Sequence, residues 1–422
     1  MLQMKRNLAV IGGLTVSLLA LGACSTTVEA PEAASTEEAA STESTESYWD
    51  SVLAEADGQT VDWFMWGGDD RLNAYINEYV AVEAAKYGVT LNQVKVTETA
   101  EVVNKVLGEK QAGNLDDGAV DLVWINGENF ATGKQADIWF CDWSQKLPNA
   151  EFVDWESDAI KFDFGTPVDE CEAPWNQAMS VITYNSDQAS AADFASVDAM
   201  VAWMSENPGQ FTYAAPPDFS GSMQVRRFFY HAVGGYDKLL GEFDQATYDE
   251  LAPQAWEFLN GIEANLWRGG ATYPQSGAEV EKLFASGEVS AYIAYNAGRA
   301  GLLVADGVFP ETTSQTTFES GMIGNTNYVA IPFNSPDTAG AQVVANILQS
   351  PEAQLRKADP SVLGYYPAID MSRTDLLAEY EALPVPASVL PFTQQKKNAN
   401  PELIAGWLEA IEKGWIANVL QK

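Results

Sequence analysis

Polar and apolar positions along the chain follow two alternating periods. Val61-Asp62-Trp63-Phe64-Met65 reads as a short strand running into Trp66-Gly67-Gly68-Asp69-Asp70. Leu72, Tyr75, Ile76, Tyr79 and Val80 then fall three and four apart, the spacing of an amphipathic helix, with Asp69 or Asp70 suited to cap it and Gly88 to end it. Residues 91–96 form a second strand. Val102, Val103, Val106 and Leu107 mark a second helix, and 121–125 is a third strand entering Asn126-Gly127-Glu128-Asn129-Phe130. Strands alternating with helices over short connections predict a parallel, doubly wound sheet.

The centre repeats this grammar. Residues 179–184 read as a strand closed by Asn185, and 211–215 as another that runs through Pro216-Pro217-Asp218-Phe219-Ser220-Gly221-Ser222 into a helix carrying Val225, Phe228 and Phe229. Val280, Leu283 and Phe284 lie on a helix closed by Gly287, before a strand over 289–295 that ends at Asn296. A last strand covers 328–331, and a helix covers 341–348 after Asn334-Ser335-Pro336-Asp337. No short period recurs, so a solenoid or propeller is disfavoured. The pattern predicts an α/β chain of two sheet-bearing lobes.

Before this pattern stands a segment of another kind. Lys5 and Arg6 precede an apolar run from Leu8 to Leu21, too short to span a bilayer comfortably, which reads as a secretory signal. Leu21-Gly22-Ala23-Cys24 resembles the lipobox of bacterial lipoproteins, which implies cleavage after residue 23 and a lipid on Cys24; an ordinary signal peptide with an incidental cysteine is the alternative. Residues 24–47, rich in Ser, Thr, Ala and Glu, are expected to be a disordered acidic tether. Export would put Cys141 and Cys171 in an oxidising compartment, where they are expected to pair, two separately buried thiols being the alternative.

Composition narrows the function. The 422 residues hold 59 Asp+Glu against 23 Lys+Arg, a formal charge of −36, which repels phosphate backbones and argues against nucleic-acid binding. With one histidine (His231) and three cysteines, a zinc site or a Ser-His-Asp triad has almost nothing to draw on. No metal or cofactor is expected.

Met179-Ser180-Val181-Ile182-Thr183-Tyr184-Asn185, Phe284-Ala285-Ser286-Gly287-Glu288-Val289-Ser290-Ala291-Tyr292 and Tyr328-Val329-Ala330-Ile331-Pro332, in this order, resemble phrases of the solute-binding proteins of bacterial ABC importers. Trp66-Gly67-Gly68-Asp69, the run from Asp121 through Trp124-Ile125-Asn126-Gly127-Glu128-Asn129-Phe130, Leu147-Pro148-Asn149-Ala150, Pro174-Trp175 and Asn207-Pro208-Gly209-Gln210-Phe211 are similar to the YnjB-like branch of that family. The resemblance implies a two-lobed, type II periplasmic-binding-protein-like fold whose crossover strands act as hinge. It would divide into a signal peptide over 1–23, the tether, a first lobe over 48–184 plus 327–383 and a second over 185–326 plus 384–422. It further implies a monomeric, non-enzymatic receptor that hands a small solute to permease and ATPase subunits, in the periplasm or at the cell surface. Members of this branch are largely periplasmic, so a lipid anchor at Cys24 is a departure.

Ligands of open α/β sheets sit beyond the carboxyl ends of strands, which nominates the loops there. Trp66 and Gly68 would frame a close approach, and Asp69 could pair with a ligand cation or serve only as a helix cap. Asn126, Glu128 and Asn129 crowd the next strand end, as a pocket or as plain turn chemistry. Trp175 is a candidate stacking face, with core packing the alternative. Ser220 and Ser222 precede a helix whose free amides would suit an anionic group, unless they belong to a capping loop. Tyr295, Asn296 and Asn325 complete the set. An acidic, tryptophan-rich cleft favours an organic cation or zwitterion such as a polyamine or a thiamine-like molecule. A secreted carbohydrate-active hydrolase and a ligand-loaded sensor are the competing readings.

Overall fold

The computed structural model describes residues 45–422 except Asn296. The expected signal peptide, Cys24 and most of the tether lie outside the described residues, as does Asn296. The tether was expected to reach residue 47, but the chain is already helical in α1 (Thr45–Ala56), whose Val52 and Ala56 are buried.

The first sheet begins as its periodicity predicts. Strands β1 (Thr60–Trp66), β2 (Thr90–Val96) and β3 (Leu122–Ile125) run parallel, with Thr60 beside Thr90 and Trp63 beside Leu122. Between β1 and β2 lies one helical run: α2 (Asp70–Tyr75), a π-helical turn (Ile76–Val80) and α3 (Ala81–Ala85). Helix α4 (Thr99–Gln111) precedes β3 and buries Val102, Val103 and Val106; α5 (Glu128–Gln135) follows it. Then come α6 (Asp158–Lys161), the hairpin β4 (Phe162–Asp163) and β5 (Thr166–Pro167), and β6 (Glu172–Met179). Cys141 and Cys171, just before β6, are joined by a disulfide, Cα–Cα 3.9 Å.

The chain then changes sheet. Strand β7 (Val181–Asn185) is followed by α7 (Val197–Glu206), α8 (Phe219–Ala232), α9 (Gln245–Ile262), α10 (Gly277–Ala285), β8 (Ala291–Ala294), α11 (Ala297–Ala305) and β9 (Thr313–Thr316). It returns through β10 (Gly324–Ala330) to α12 (Thr338–Leu348), α13 (Pro351–Ala358) and α14 (Leu377–Glu381), and ends with α15 (Phe392–Gln395) and α16 (Ala405–Trp415). The sheets have the orders β2-β1-β3-β10-β6 and β8-β7-β9.

Several expectations need correction. The first sheet is mixed, since β10 is antiparallel to both β3 and β6, and the second is wholly antiparallel. Strand β10 comes directly from the other sheet, so no helical crossover forces it parallel. The strand expected over 179–184 is cut at Ser180, whose N–H and hydroxyl both donate to Ile323 O (3.0 and 2.7 Å), and the two pieces join different sheets. The chain therefore changes sheet before Val181 and again before Gly324. No strand forms over 211–215: Phe211 makes one isolated bridge to Ala291, while Ala215 N–H donates to the loop carbonyl of Pro274. The strand expected over 289–295 is confined to β8.

Each sheet has its own core. Trp63, Leu122, Trp143 and Trp175 pack with α12 on one face of the first sheet, and Val103, Val123, Phe130 and Tyr328 on the other. Around the second sheet, Ile182, Phe211, Phe228 and Ile293 join Trp407 and Trp415 of α16. Separate cores joined by crossing strands permit hinge motion without unpacking either one.

Candidate functional site

On the first-lobe side, β1 delivers Trp66 to its carboxyl end, where it is 40% exposed. Its indole stands edge-on to Trp124 at 6.5 Å, and Trp124 stands edge-on to Trp175 at 4.9 Å. Gly68 makes this possible, because a Cβ there would come within 2.3 Å of the Trp66 ring. Trp175 itself is 0% exposed, wedged between Trp124 and Trp63 (5.8 Å). It is core, and of the three indoles only Trp66 is exposed.

Trp124 Nε1 donates to Asn327 Oδ1 (3.0 Å), and Asn126 Nδ2 donates to the same oxygen (3.1 Å). Gly127 then turns the chain with φ 64 and ψ −134, a conformation that side chains disfavour, and its N–H donates to Asp163 Oδ2 at 2.7 Å. This turn sets Glu128 and Asn129, both half-buried, in the first turn of α5. A carboxylate at that end is favoured by the helix dipole. Asn325 lies on β10 opposite Ala178.

On the second-lobe side, Asp218 caps α8 by accepting Gly221 N–H (2.9 Å), and its other oxygen accepts Gly277 N–H (3.2 Å). A carboxylate therefore occupies the helix end expected to welcome an anion beside Ser220. Ser222 is also engaged: its hydroxyl donates to Glu412 and accepts from Arg226 Nη1 (2.6 Å). Arg226 Nε donates to Glu402 Oε2 (2.9 Å), and Tyr295 donates its hydroxyl proton to Glu402 Oε1. The Tyr295 ring lies 5.2 Å from exposed Phe219, which meets Phe164 of the β4–β5 turn at 6.3 Å. The Arg226 guanidinium lies 5.8 Å from the Phe164 ring, so the two lobes touch here.

Asp69 is fully committed. One oxygen caps α2 through Arg71 N–H (2.9 Å) and Leu72 N–H (3.2 Å), and the other lies 2.6 Å from Arg299 Nη1 on α11. Arg299 also binds Glu281 (2.8 Å), and Arg71 pairs with Asp306 (2.6 Å). The carboxylate expected to meet a ligand cation instead caps a helix and pairs with a protein cation across the lobes.

Electrostatics single out other acids. Burial pushes the Glu98 carboxyl up, and the charges of Asp218, Glu101 and Glu128 push it further. Burial also raises Glu128, where Glu402 and Glu409 work against the relief from Arg226. Asp218, Glu402 and Glu412 are each raised chiefly by burial. Acids from both lobes thus crowd the region around the buried Arg226 guanidinium, near Phe164 and Tyr295. Two grooves lie elsewhere: one of about 380 Å³ beside Asn185, Phe284 and Phe309, the other of about 720 Å³ framed by Trp49, Leu147, Pro148 and Trp155. Each is lined from one side of the hinge only, so neither can report closure.

Trp66, Asn126 and Glu128 thus gather on the first-lobe side and Tyr295 on the second. Trp124, Asn327, Glu98, Asp218, Phe219 and Arg226 lie among or beside them and were not nominated from the sequence. Glu98 follows β2, so the strand-end rule could have found it. Arg226 and Glu402 meet only through tertiary packing, with no local signal.

Two sheets, two cores and a site built from both sides of a strand crossing define a two-lobed solute-binding protein. A model of the bacterial extracellular solute-binding protein family matches residues 74–385, and the chain belongs to that family. It is 33% identical over 368 residues to Protein YnjB of Escherichia coli strain K12, covering 87% of this chain and 93% of that one. Among solved structures it resembles the spermidine/putrescine transporter substrate-binding protein PotD of Streptococcus pneumoniae (TM-score 0.58, 14% identity, 86% of this chain, 99% of that one). It also resembles the periplasmic binding protein AfuA of Actinobacillus pleuropneumoniae with fructose-6-phosphate bound (TM-score 0.57, 12% identity, 86% and 99%). The protein is thus the extracytoplasmic solute receptor of an ABC importer, working with permease and ATPase components; it binds rather than catalyses. A cationic and an anionic solute are named on these two neighbours, so the fold leaves the solute's charge open.

Proposed function

We propose that this receptor is held at the membrane by a lipid on Cys24 and closes on a small organic cation or zwitterion, of the polyamine or thiamine-like kind. One observation carries the choice of charge: the Glu98 carboxyl, already raised by burial, is raised further by the charges of Asp218 from the other side and of Glu101 and Glu128 from its own. A positive solute between them would relieve that repulsion on closure, which gives it higher affinity for the closed arrangement than for the open one. The Trp66–Trp124 pair adds cation–π attraction, about 0.5–2 kcal/mol per well-placed ring. Asp218 at the α8 terminus opposes an anion.

A thermal-shift screen over amines, vitamins, sugars and amino acids tests the reading. A bound solute at 100 times its dissociation constant stabilises by about 2.7 kcal/mol. The expected hit is cationic and loses most of its shift in Glu128→Gln; a hit confined to neutral sugars or anions would defeat the proposal. For the anchor, Cys24→Ser should release the protein from the membrane fraction.

A further inference from the structure

Strand β10 re-enters the first sheet through Gly324-Asn325-Thr326-Asn327. Successive side chains of a strand point to opposite faces. Thr326 and Tyr328 point one way, and their hydroxyls donate to Ala159 O at 2.6 and 3.3 Å. Asn325 and Asn327 therefore share the other face, the one on which Asn327 Oδ1 receives Trp124 Nε1 and Asn126 Nδ2. Asn327 is accounted for by those bonds. Asn325 is not: its amide nitrogen and its amide oxygen are both shielded from solvent, and neither has a protein partner. The residue opposite on β6 is Ala178, which has no polar side chain to offer. The register shift at Asn327/Tyr328 sets Asn176 opposite Asn327, and Asn176 Oδ1 is likewise buried and unpartnered.

Buried amides in folded proteins are nearly always paired, so a fully unpaired one beside a binding loop is an exception that needs a cause. An asparagine amide offers a donor and an acceptor side by side in one plane. We propose that Asn325, covered in this arrangement, is uncovered when the lobes part and then reads the solute, its N–H and C=O pairing with one planar edge that bears an acceptor next to a donor. Resting on the cationic reading above, the solute class is then a flat organic cation carrying a carboxamide-like edge, stacked by the Trp66–Trp124 pair, rather than a flexible polyamine. Asn325 is a specificity residue: it separates cations with that edge from cations of equal charge without it.

Calorimetric titration with three probes tests this: 1-methylnicotinamide (charge and carboxamide), 1-methylpyridinium (charge alone) and nicotinamide (carboxamide alone). The parent should prefer 1-methylnicotinamide over 1-methylpyridinium by about 10-fold or more, the value of one or two added hydrogen bonds. Asn325→Leu should erase that preference while keeping its affinity for 1-methylpyridinium. Its solute-free Tm should equal or exceed the parent's, because an unpaired buried amide has been replaced by an apolar group of similar size. A merely structural asparagine would instead lose Tm and leave the preference intact. Asn325→Ser serves the same comparison should the leucine variant not fold. Equal binding of both cations by the parent, a preference that survives in the variant, or no binding of any probe up to about 10 mM overturns the proposal. Nicotinamide binding as tightly as its methylated form, with that binding lost in Asn325→Leu, would defeat the cationic reading and leave the role of Asn325 standing.

Discussion

Asp69 illustrates how much one carboxylate can do at the residue scale. The strand-end position of Trp66-Gly67-Gly68-Asp69 was legible from the sequence, and so was the cap: Asp69 holds the first amides of α2. Its other oxygen binds Arg299, whose approach from another lobe has no local signature. This pair closes one rim of the cleft, so removing it weakens closure rather than folding. Arg299 is 29% exposed, so solvent screening limits the effect to about 1 kcal/mol. Arg299→Met is therefore expected to loosen solute binding about 5-fold, read by calorimetry, with Tm of the solute-free protein little changed. Parent-like affinity would show that the rim contributes nothing to closure. Trp175 makes the converse point: its residue type suggested a stacking face, and its packing at the bulge of edge strand β6, against Trp63 and Trp124, made it core.

At the scale of elements, the hairpin β4–β5 and strand β6 place two acids where no solvent reaches. Glu172 is 0% exposed, and both its carboxylate oxygens lack partners; Asp163 spends one oxygen on Gly127 N–H. Burial raises both carboxyls well above the ordinary range; the Asp163 charge raises Glu172 further and the Lys134 charge eases it, while Glu128 and Glu402 add to the rise of Asp163 against the relief from Gly127 N–H. Tyr328 of β10 faces the same two acids. A raised folded-state value stabilises fully below the ordinary carboxylate value of about 4, and that contribution is lost as pH climbs through the raised value. Glu172→Gln should therefore unfold at higher temperature than the parent at pH 8, by about 2 kcal/mol of stability, with the gain shrinking toward pH 4. An unchanged difference across that range would mean that Glu172 does not titrate between folded and unfolded states. Helices such as α4, α8 and α12 were legible because their apolar spacing is local. The failed strand over 211–215 was not, since its hydrogen-bonding groups went to loops distant in sequence.

For the whole molecule, the ion pairs Asp69–Arg299 and Arg71–Asp306 and the Phe164–Phe219 contact tie the lobes at separate points. A clamp held this way should be biased, not locked, since surface pairs contribute little individually. Replacing Arg71 and Arg299 together with Met is expected to enlarge the solute-free radius of gyration in X-ray scattering, and saturating solute should restore the smaller value. Indistinguishable curves in every state would mean that the lobes do not move as a clamp.

Hydrophobic periodicity and the polar strand ends were enough to specify an α/β chain of two lobes and to nominate Trp66, Asn126 and Glu128. All of these depend on neighbours in the chain. Strand direction in the first sheet, the break at Ser180, the capture of Asp69 by Arg299 and the Arg226–Glu402 network were decided only by tertiary structure. Each depends on which distant groups satisfy a backbone amide or neutralise a charge, and that pairing is chosen when the lobes pack, not when the chain is written.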